Sequence, residues 1–253
     1  MHRRLLIRPG AIGDVILWLP EMEASRADYT EVWAPRPVLP LIRTVDRTRA
    51  IADTGLDLLG VLDDARVAEL ESFDSIYSWY GANRSEFRAA VAHLPFTFFP
   101  AFPIPRRGDP KIPVPSAPVE NFIAIHPFSG SSRKNWPLEH FRAIAARLSL
   151  PVEWIAGPED RLEHAVRYDD LYQLACRLAR ARLYIGNDSG ITHLAAAIGV
   201  PVLAIFLSTD PAVWAPRAAH ASVLVQPGVD QVLHLARALL DQHANRFAQR
   251  ALD

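Results

Sequence analysis

Residues 183–206 read LYIGNDSGITHLAAAIGVPVLAIF, and their pattern decides the fold. Leu183–Gly186 is a short apolar run of strand character, Ile191–Ile198 reads as a buried helix, and Val202–Phe206 is apolar again. A strand, a turn of small polar residues, a helix and a second apolar strand make a βαβ unit, the building block of parallel α/β sheets. The longest uncharged run, Leu194–Leu207, is shorter than the ~20 residues of a membrane-spanning helix. Gly199 and Pro201 interrupt it.

Outward from this unit the same alternation continues. Strands are expected at Phe122–His126, Val152–Ala156 and Ser222–Val225, and helices at Leu138–Leu148, Leu171–Ala181 and Val229–His243. Upstream, Arg4–Arg8, Glu31–Ala34, Ser75–Trp79 and Phe96–Phe99 read as strands, with helices at Ile12–Ala24, Val61–Leu70 and Ser85–His93. Between Pro100 and Pro118 lie seven of the 21 prolines. Proline fixes φ and cannot donate to a ladder, so this stretch reads as a stiff connector. The expected organisation is a first α/β domain over 1–105, a Pro-rich linker over 106–120, and a second domain over 121–253 ending in a helix. Ligands of such sheets bind beyond the carboxyl ends of the strands.

The 253 residues carry a formal net charge of −1, with half of them hydrophobic and 22% charged. The basic residues are scattered, so nothing points to nucleic acid. One cysteine, Cys176, excludes an intrachain disulfide and a Cys-based zinc site. Among Leu174, Ala175 and Leu178 it reads as a small residue in or near the core. Arg8, Pro9, Gly10 and Asp14 break the apolar run that an N-terminal signal peptide needs. A soluble, cytoplasmic protein is expected.

Four polar clusters sit at expected strand ends. Arg8–Asp14, RPGAIGD, leads from a strand into a helix. Gly10 and Gly13 let backbone approach a ligand, and Asp14 lies in the first helical turn. Asp14 also fits a carboxylate that answers the helix dipole, worth ~0.3–1 kcal/mol. Only part of G-x-G-x-x-G is present, and Pro35-Arg36 stands where a ribose-binding acid would follow the next strand, which argues against a nicotinamide cofactor. The second cluster, 126–137, HPFSGSSRKNWP, offers amides and hydroxyls to an anion, with Lys134 as a compact positive charge. A polar loop with a solvated lysine is the plainer reading. The third, 186–193, GNDSGITH, opens a helix whose first amides form a phosphate seat. Asp188 or Ser189 as a simple N-cap is its alternative. The fourth, Gly157–Asp160, is a turn with two acids, suited to ribose hydroxyls or to nothing more than a surface turn.

Together these stretches resemble glycosyltransferase family nine, the ADP-heptose:lipopolysaccharide heptosyltransferases and their relatives. The resemblance is carried by LLIRPGAIGDVILWLP (5–20), IHPFSGSSRKNWPLEHF (125–141), IAGPED (155–160) and LARARLYIGNDSGITHLAAAIGVPVLAIFLSTDPAVWAP (178–216). It implies a GT-B fold, two Rossmann-like doubly wound parallel-sheet domains facing a cleft, here with a compact N-terminal domain. By the same resemblance Asp14 is the general base and Gly10 and Gly13 belong to the acceptor-side loop. Ser129, Gly130, Lys134, Ser189 and Gly190 contact the donor phosphates, with Lys134 also serving the chemistry. Asp188 and His193 line the phosphate–sugar end, Glu159 holds the ribose, and backbone near Asp169 reads the base.

The implied reaction is inverting, metal-independent transfer of a heptose or similar sugar. The donor is a nucleotide diphosphate sugar, and the acceptor a cell-envelope glycan or glycolipid met at the inner membrane surface. No cofactor and no metal are expected, since Lys134 and helix amides can neutralise the leaving diphosphate and no Asp-x-Asp pair is present. Two other readings stay open: a non-catalytic nucleotide-sugar-binding module, and a sugar-nucleotide epimerase of related fold.

Overall fold

A computed structural model describes residues 1–56, 64–102 and 107–250. The chain divides into two compact units, Met1–Gly108 and Asp109–Asp253. The first is built on five parallel strands: β1 (Arg3–Ile7), β2 (Tyr29–Ala34), β3 (Arg47–Ala50), β4 (Ser75–Ser78) and β5 (Phe96–Phe98). They lie in the order β3-β2-β1-β4-β5. Helices α1 (Ile12–Ala24), α2 (Asp64–Glu71) and α3 (Ser85–Ala90) connect them. The helix expected at Val61–Leu70 begins outside the described residues and continues as α2. Leu5, Ile7, Trp33, Ile76 and Val91 are fully buried in this unit's core.

The second unit carries β6 (Ile123–His126), β7 (Val152–Trp154), β8 (Leu183–Asn187), β9 (Val202–Phe206) and β10 (Ala221–Val225). All pair in parallel, in the order β10-β9-β8-β6-β7. The intervening helices are α4 (Leu138–Ala145), α5 (Leu171–Leu178), α6 (Gly190–Ala197), the single turn α7 (Pro211–Trp214) and α8 (Val229–Arg250). Strands β6, β8 and β9 are buried along their whole length, as a parallel sheet covered on both faces requires. Ile123, Ile125, Leu183, Ile185, Leu203 and Ile205 pack with Phe141 and Ile144 of α4 and Val232 and Ala236 of α8. The apolar side chains that α8 spaces along one face are what close the sheet on that side.

The observed helices mostly end earlier than their apolar periodicity suggested, at Ala145 in α4 and Leu178 in α5. The strand expected over Arg4–Arg8 is shifted by one residue to Arg3–Ile7, although the Arg8 amide still donates to the Trp33 carbonyl (2.9 Å) and its side chain is buried. Strand β3 has no counterpart among the strands expected from the sequence. Its sequence, RTRA, has no apolar run because it is an edge strand held through one neighbour. From Asp109 onward the chain packs on the second unit. The Ile112 amide donates to the Ala197 carbonyl (2.9 Å) and the Glu120 amide to the Arg180 carbonyl (2.7 Å). Ile125, fully buried between β7 and β8, tests this core. Ile125→Ala is expected to cost about 2–5 kcal/mol and lower the urea midpoint without changing the slope.

Candidate functional site

A doubly wound sheet opens a crevice where two neighbouring strands send their connections to opposite faces. In the second unit that point lies between β6 and β8, which pair with His126 opposite Gly186. The second and third polar clusters leave from these two strand ends. Their proximity therefore follows from topology.

Asn187 joins them. Fully buried at the end of β8, it donates from Nδ2 to the Pro127 carbonyl (2.7 Å) and accepts the Trp136 amide on Oδ1 (2.9 Å). One side chain thus grips both ends of the 127–136 loop. Trp136 anchors the far end: it is buried, edge-on to Phe141, with its indole N–H on the Pro227 carbonyl (3.1 Å). Inside the loop, Ser129 Oγ lies 2.8 Å from the Ser131 carbonyl and 2.7 Å from Asn135 Oδ1, while Gly130 is exposed with open space where a Cβ would be. A single turn over Ser132–Lys134 then aims Lys134 back at β8.

Lys134 Nζ donates to Asp188 Oδ2 at 2.8 Å and stands 6.0 Å from the centre of the Trp214 ring. Asp188 is 4% exposed, its amide is bonded to the Ile205 carbonyl, and Oδ2 takes a second hydrogen bond from Thr209 Oγ1 at 2.7 Å. His193 Nε2 lies 4.0 Å from the other oxygen, Oδ1. Burial pulls the pKa of His193 down to about 4, opposed by Asp188 and assisted by Lys134 and Arg217, so the ring is neutral at physiological pH. Ser189 is the N-cap of α6, its Oγ accepting the Thr192 amide. The amides of Gly190 and Ile191 precede the first intrahelical bond and are the donors an anion would meet. Lys134, Asp188, Ser189, Gly190 and His193 are thus gathered in one place.

Glu159 is exposed on the turn after β7, and its neighbour Asp160 holds that turn by accepting the Gly157 amide at 2.7 Å. Asp160 also faces His126 Nε2 at 3.9 Å, and burial lowers the His126 pKa to about 4 against that carboxylate. In the first unit, Asp14 Oδ2 accepts the Ala11 amide (2.9 Å). Gly10 has φ +125°, and a Cβ there would sit 2.8 Å from Asp14 Oδ2. Gly13 is buried inside α1. Under this loop Arg8 is 1% exposed, with long bonds of 3.4 Å to the Asp14 and Ala101 carbonyls. Burial lowers its pKa to about 10, with Asp14 opposing the shift.

Arg8, Asn187 and Thr209 lie in the polar stretches of the sequence without a role that local pattern assigns them. Each shows its part only through partners distant in the chain or through burial. Cys176 is half-buried on α5. Among the described residues no three His, Cys, Asp or Glu side chains converge as a metal site would need, and no helix is long and apolar enough to cross a membrane.

Comparison with known proteins meets this geometry. Residues 169–233 match the sequence model of Glycosyltransferase family 9 (heptosyltransferase). That span contains Asp188, Ser189, Gly190, His193 and Thr209. None of the curated proteins matches the chain. Among solved structures it is similar to Escherichia coli ADP-heptose LPS heptosyltransferase II, at 17% identity and TM-score 0.73, over 96% of this chain and 99% of that one. A glycosyl transferase family 9 protein of Veillonella parvula gives 17% identity and TM-score 0.71, over 95% and 97%. E. coli heptosyltransferase WaaC with ADP gives 15% and 0.64, over 95% and 99%. At such identities the likeness is one of fold, and the fold is that of the heptosyltransferases, GT-B. The family match is confined to 169–233, while the likeness of fold extends over nearly the whole chain.

Two neutral, buried histidines set a pH dependence. Below their ordinary pKa of 6.5 the unfolded chain takes up protons that folded His126 and His193 refuse until about pH 4. Stability is therefore complete above pH 6.5 and lost as the pH falls from 6.5 towards 4, by up to about 1.4 kcal/mol per pH unit for each histidine. Urea unfolding across this window should show the loss, and His193→Asn should flatten the slope by about one proton. An unchanged slope would contradict it.

Proposed function

We propose that this protein is an inverting glycosyltransferase that moves a heptose or similar sugar from a nucleotide diphosphate sugar, ADP-heptose first among candidates, to a hydroxyl of a cell-envelope glycan or glycolipid. The observation that carries the reading is the convergence of Lys134, the buried Asp188 and the first amides of α6 at one switch point. A positive side chain and unpaired amides facing one space suit a diphosphate. The family match over 169–233 and the similar E. coli heptosyltransferase WaaC solved with ADP support the adenosine diphosphate part.

The chemistry follows from these groups. The acceptor oxygen bonds to the anomeric carbon as the bond from that carbon to the phosphate oxygen breaks, with attack from the side opposite the leaving group. Asp14 of the first unit takes the hydroxyl proton. The departing diphosphate keeps the electron pair, and its charge is met by Lys134 and by the amides at Gly190 and Ile191. Ser129 and Gly130 add loop contacts to the phosphates, and Ser189 caps the helix whose amides do this work. Asp188 and His193 face the sugar end, and Glu159 bonds ribose hydroxyls. In this reading lysine and helix amides do the work a divalent cation does elsewhere, so activity is expected to survive chelation by EDTA.

Three measurements test it. Asp14→Ala should lower turnover by roughly 10²–10⁴-fold while leaving ADP affinity nearly unchanged. Lys134→Met should weaken ADP binding by about 10–100-fold, the worth of a hydrogen bond to a charged group. A panel of nucleotide sugars scored by thermal shift should rank the ADP-sugar first, since a bound donor stabilises the folded state. A protein that binds ADP yet neither transfers nor hydrolyses any donor would be a binding module instead.

A further inference from the structure

The two oxygens of Asp188 are treated very differently. Oδ2 receives both hydrogen bonds, from Lys134 Nζ at 2.8 Å and from Thr209 Oγ1 at 2.7 Å. Oδ1 lies 4.0 Å from His193 Nε2, beyond hydrogen-bond reach. The backbone of Asp188 is fixed by its amide bond to the Ile205 carbonyl, but the terminal torsion of an aspartate is soft and roughly two-fold. Something other than the backbone must fix the plane of the carboxylate, and with it the directions in which its two equivalent oxygens point.

Lys134 is a poor candidate for that task. Its side chain is 30% exposed on a flexible four-carbon stem, and its charge is the one an arriving diphosphate draws on. Thr209 has the opposite character. Its hydroxyl turns on a single, β-branched torsion. It sits between the end of β9 and the start of α7, where Asp210 accepts the Ala212 amide at 2.9 Å and Pro211 occupies the first helical position. Its one hydroxyl proton is spent on Asp188.

We infer that Thr209 is a positioning residue of the donor site, whose hydroxyl locks the Asp188 carboxylate through Oδ2 and keeps Oδ1 turned to the sugar of the bound donor. The inference rests on the proposed reading of this cradle as a nucleotide-sugar site. When the diphosphate engages Lys134, the Thr209 bond is the one that stays with Asp188. The buried carboxylate then keeps a donor on Oδ2 and its orientation, and Oδ1 is presented to a sugar hydroxyl. Thr209 therefore acts on discrimination between the intact donor and the bare nucleotide.

The test uses the full chain, ADP and ADP-heptose, with Thr209→Val to remove the hydroxyl at constant shape and Thr209→Ser to keep it. Calorimetric titration of T209V should show about a 10-fold or greater loss of ADP-heptose affinity, the equivalent of one hydrogen bond to a charged group. ADP affinity should change by less than about two-fold, and T209S should restore the wild-type preference. Thr209→Ala serves the same purpose if T209V does not fold. Equal loss for both ligands, no loss for either, or a T209S protein that behaves like T209V would overturn the inference. So would a wild-type protein that binds ADP and ADP-heptose equally tightly, for then Asp188 makes no contact with the sugar. A wild-type protein that binds neither sinks the reading of the site itself, a result distinguishable from all of these.

Discussion

A carboxylate that is 4% exposed is the constraint around which the second unit's polar edge is arranged. Burying a charge costs several kcal/mol unless a partner and hydrogen bonds accompany it. Asp188 has both, in Lys134 and Thr209. Neither arrives by accident of the local chain: Lys134 lies 54 residues upstream and Thr209 21 downstream. Each must be delivered by its own strand end, so the carboxylate can be buried only if β6, β8 and β9 already stand side by side. The pair adds little net stability by this argument, since its Coulombic gain is set against desolvation. What it supplies is a definite geometry at a place where an anion is expected.

That geometry depends in turn on Asn187. Its amide holds the 127–136 loop by both ends, and it does so from inside the core. An aspartate at 187 would lose the donor to the Pro127 carbonyl, and a leucine would leave the Trp136 amide unsatisfied. With the loop so tied, Lys134 extends from a fixed turn, and only its stem remains adjustable. The division of labour is physical: rigid backbone placed by buried amides, and mobile charge carried on a long side chain.

Much of this was legible in the sequence, and the limits are instructive. The βαβ unit of 183–206 declares itself because three buried elements succeed one another with little between them but small polar residues and a Gly-x-Pro turn. Asp188, Ser189, Gly190 and His193 were visible as a cluster because a strand end and a helix start are adjacent in the chain. β3 was not, because an edge strand of alternating arginines has no apolar signature. Asn187 and Thr209 were hidden for a different reason. An asparagine in a turn and a threonine in a loop are common everywhere, and only the meeting of distant strands shows what their hydrogen bonds hold. Arg8 belongs to the same class, a charged residue at a strand end whose burial no local pattern announces.

Asp14 is open to two accounts, a helix-cap carboxylate and the catalytic base we propose, and its capping contact is compatible with both. One oxygen accepts the Ala11 amide, and Gly10 has no Cβ to crowd it, at a backbone conformation that favours glycine. Capping therefore occupies Oδ2 and fixes the side chain, and the base role we propose for Asp14 would fall to its other oxygen. Beneath the same loop lies the buried Arg8 guanidinium, whose pKa burial lowers to about 10 against the opposing charge of Asp14. A carboxylate that only capped the helix would need neither the glycine pressed against it nor an arginine buried at the cost of most of its hydration. The two features together give the cap a shape suited to more than holding the helix end.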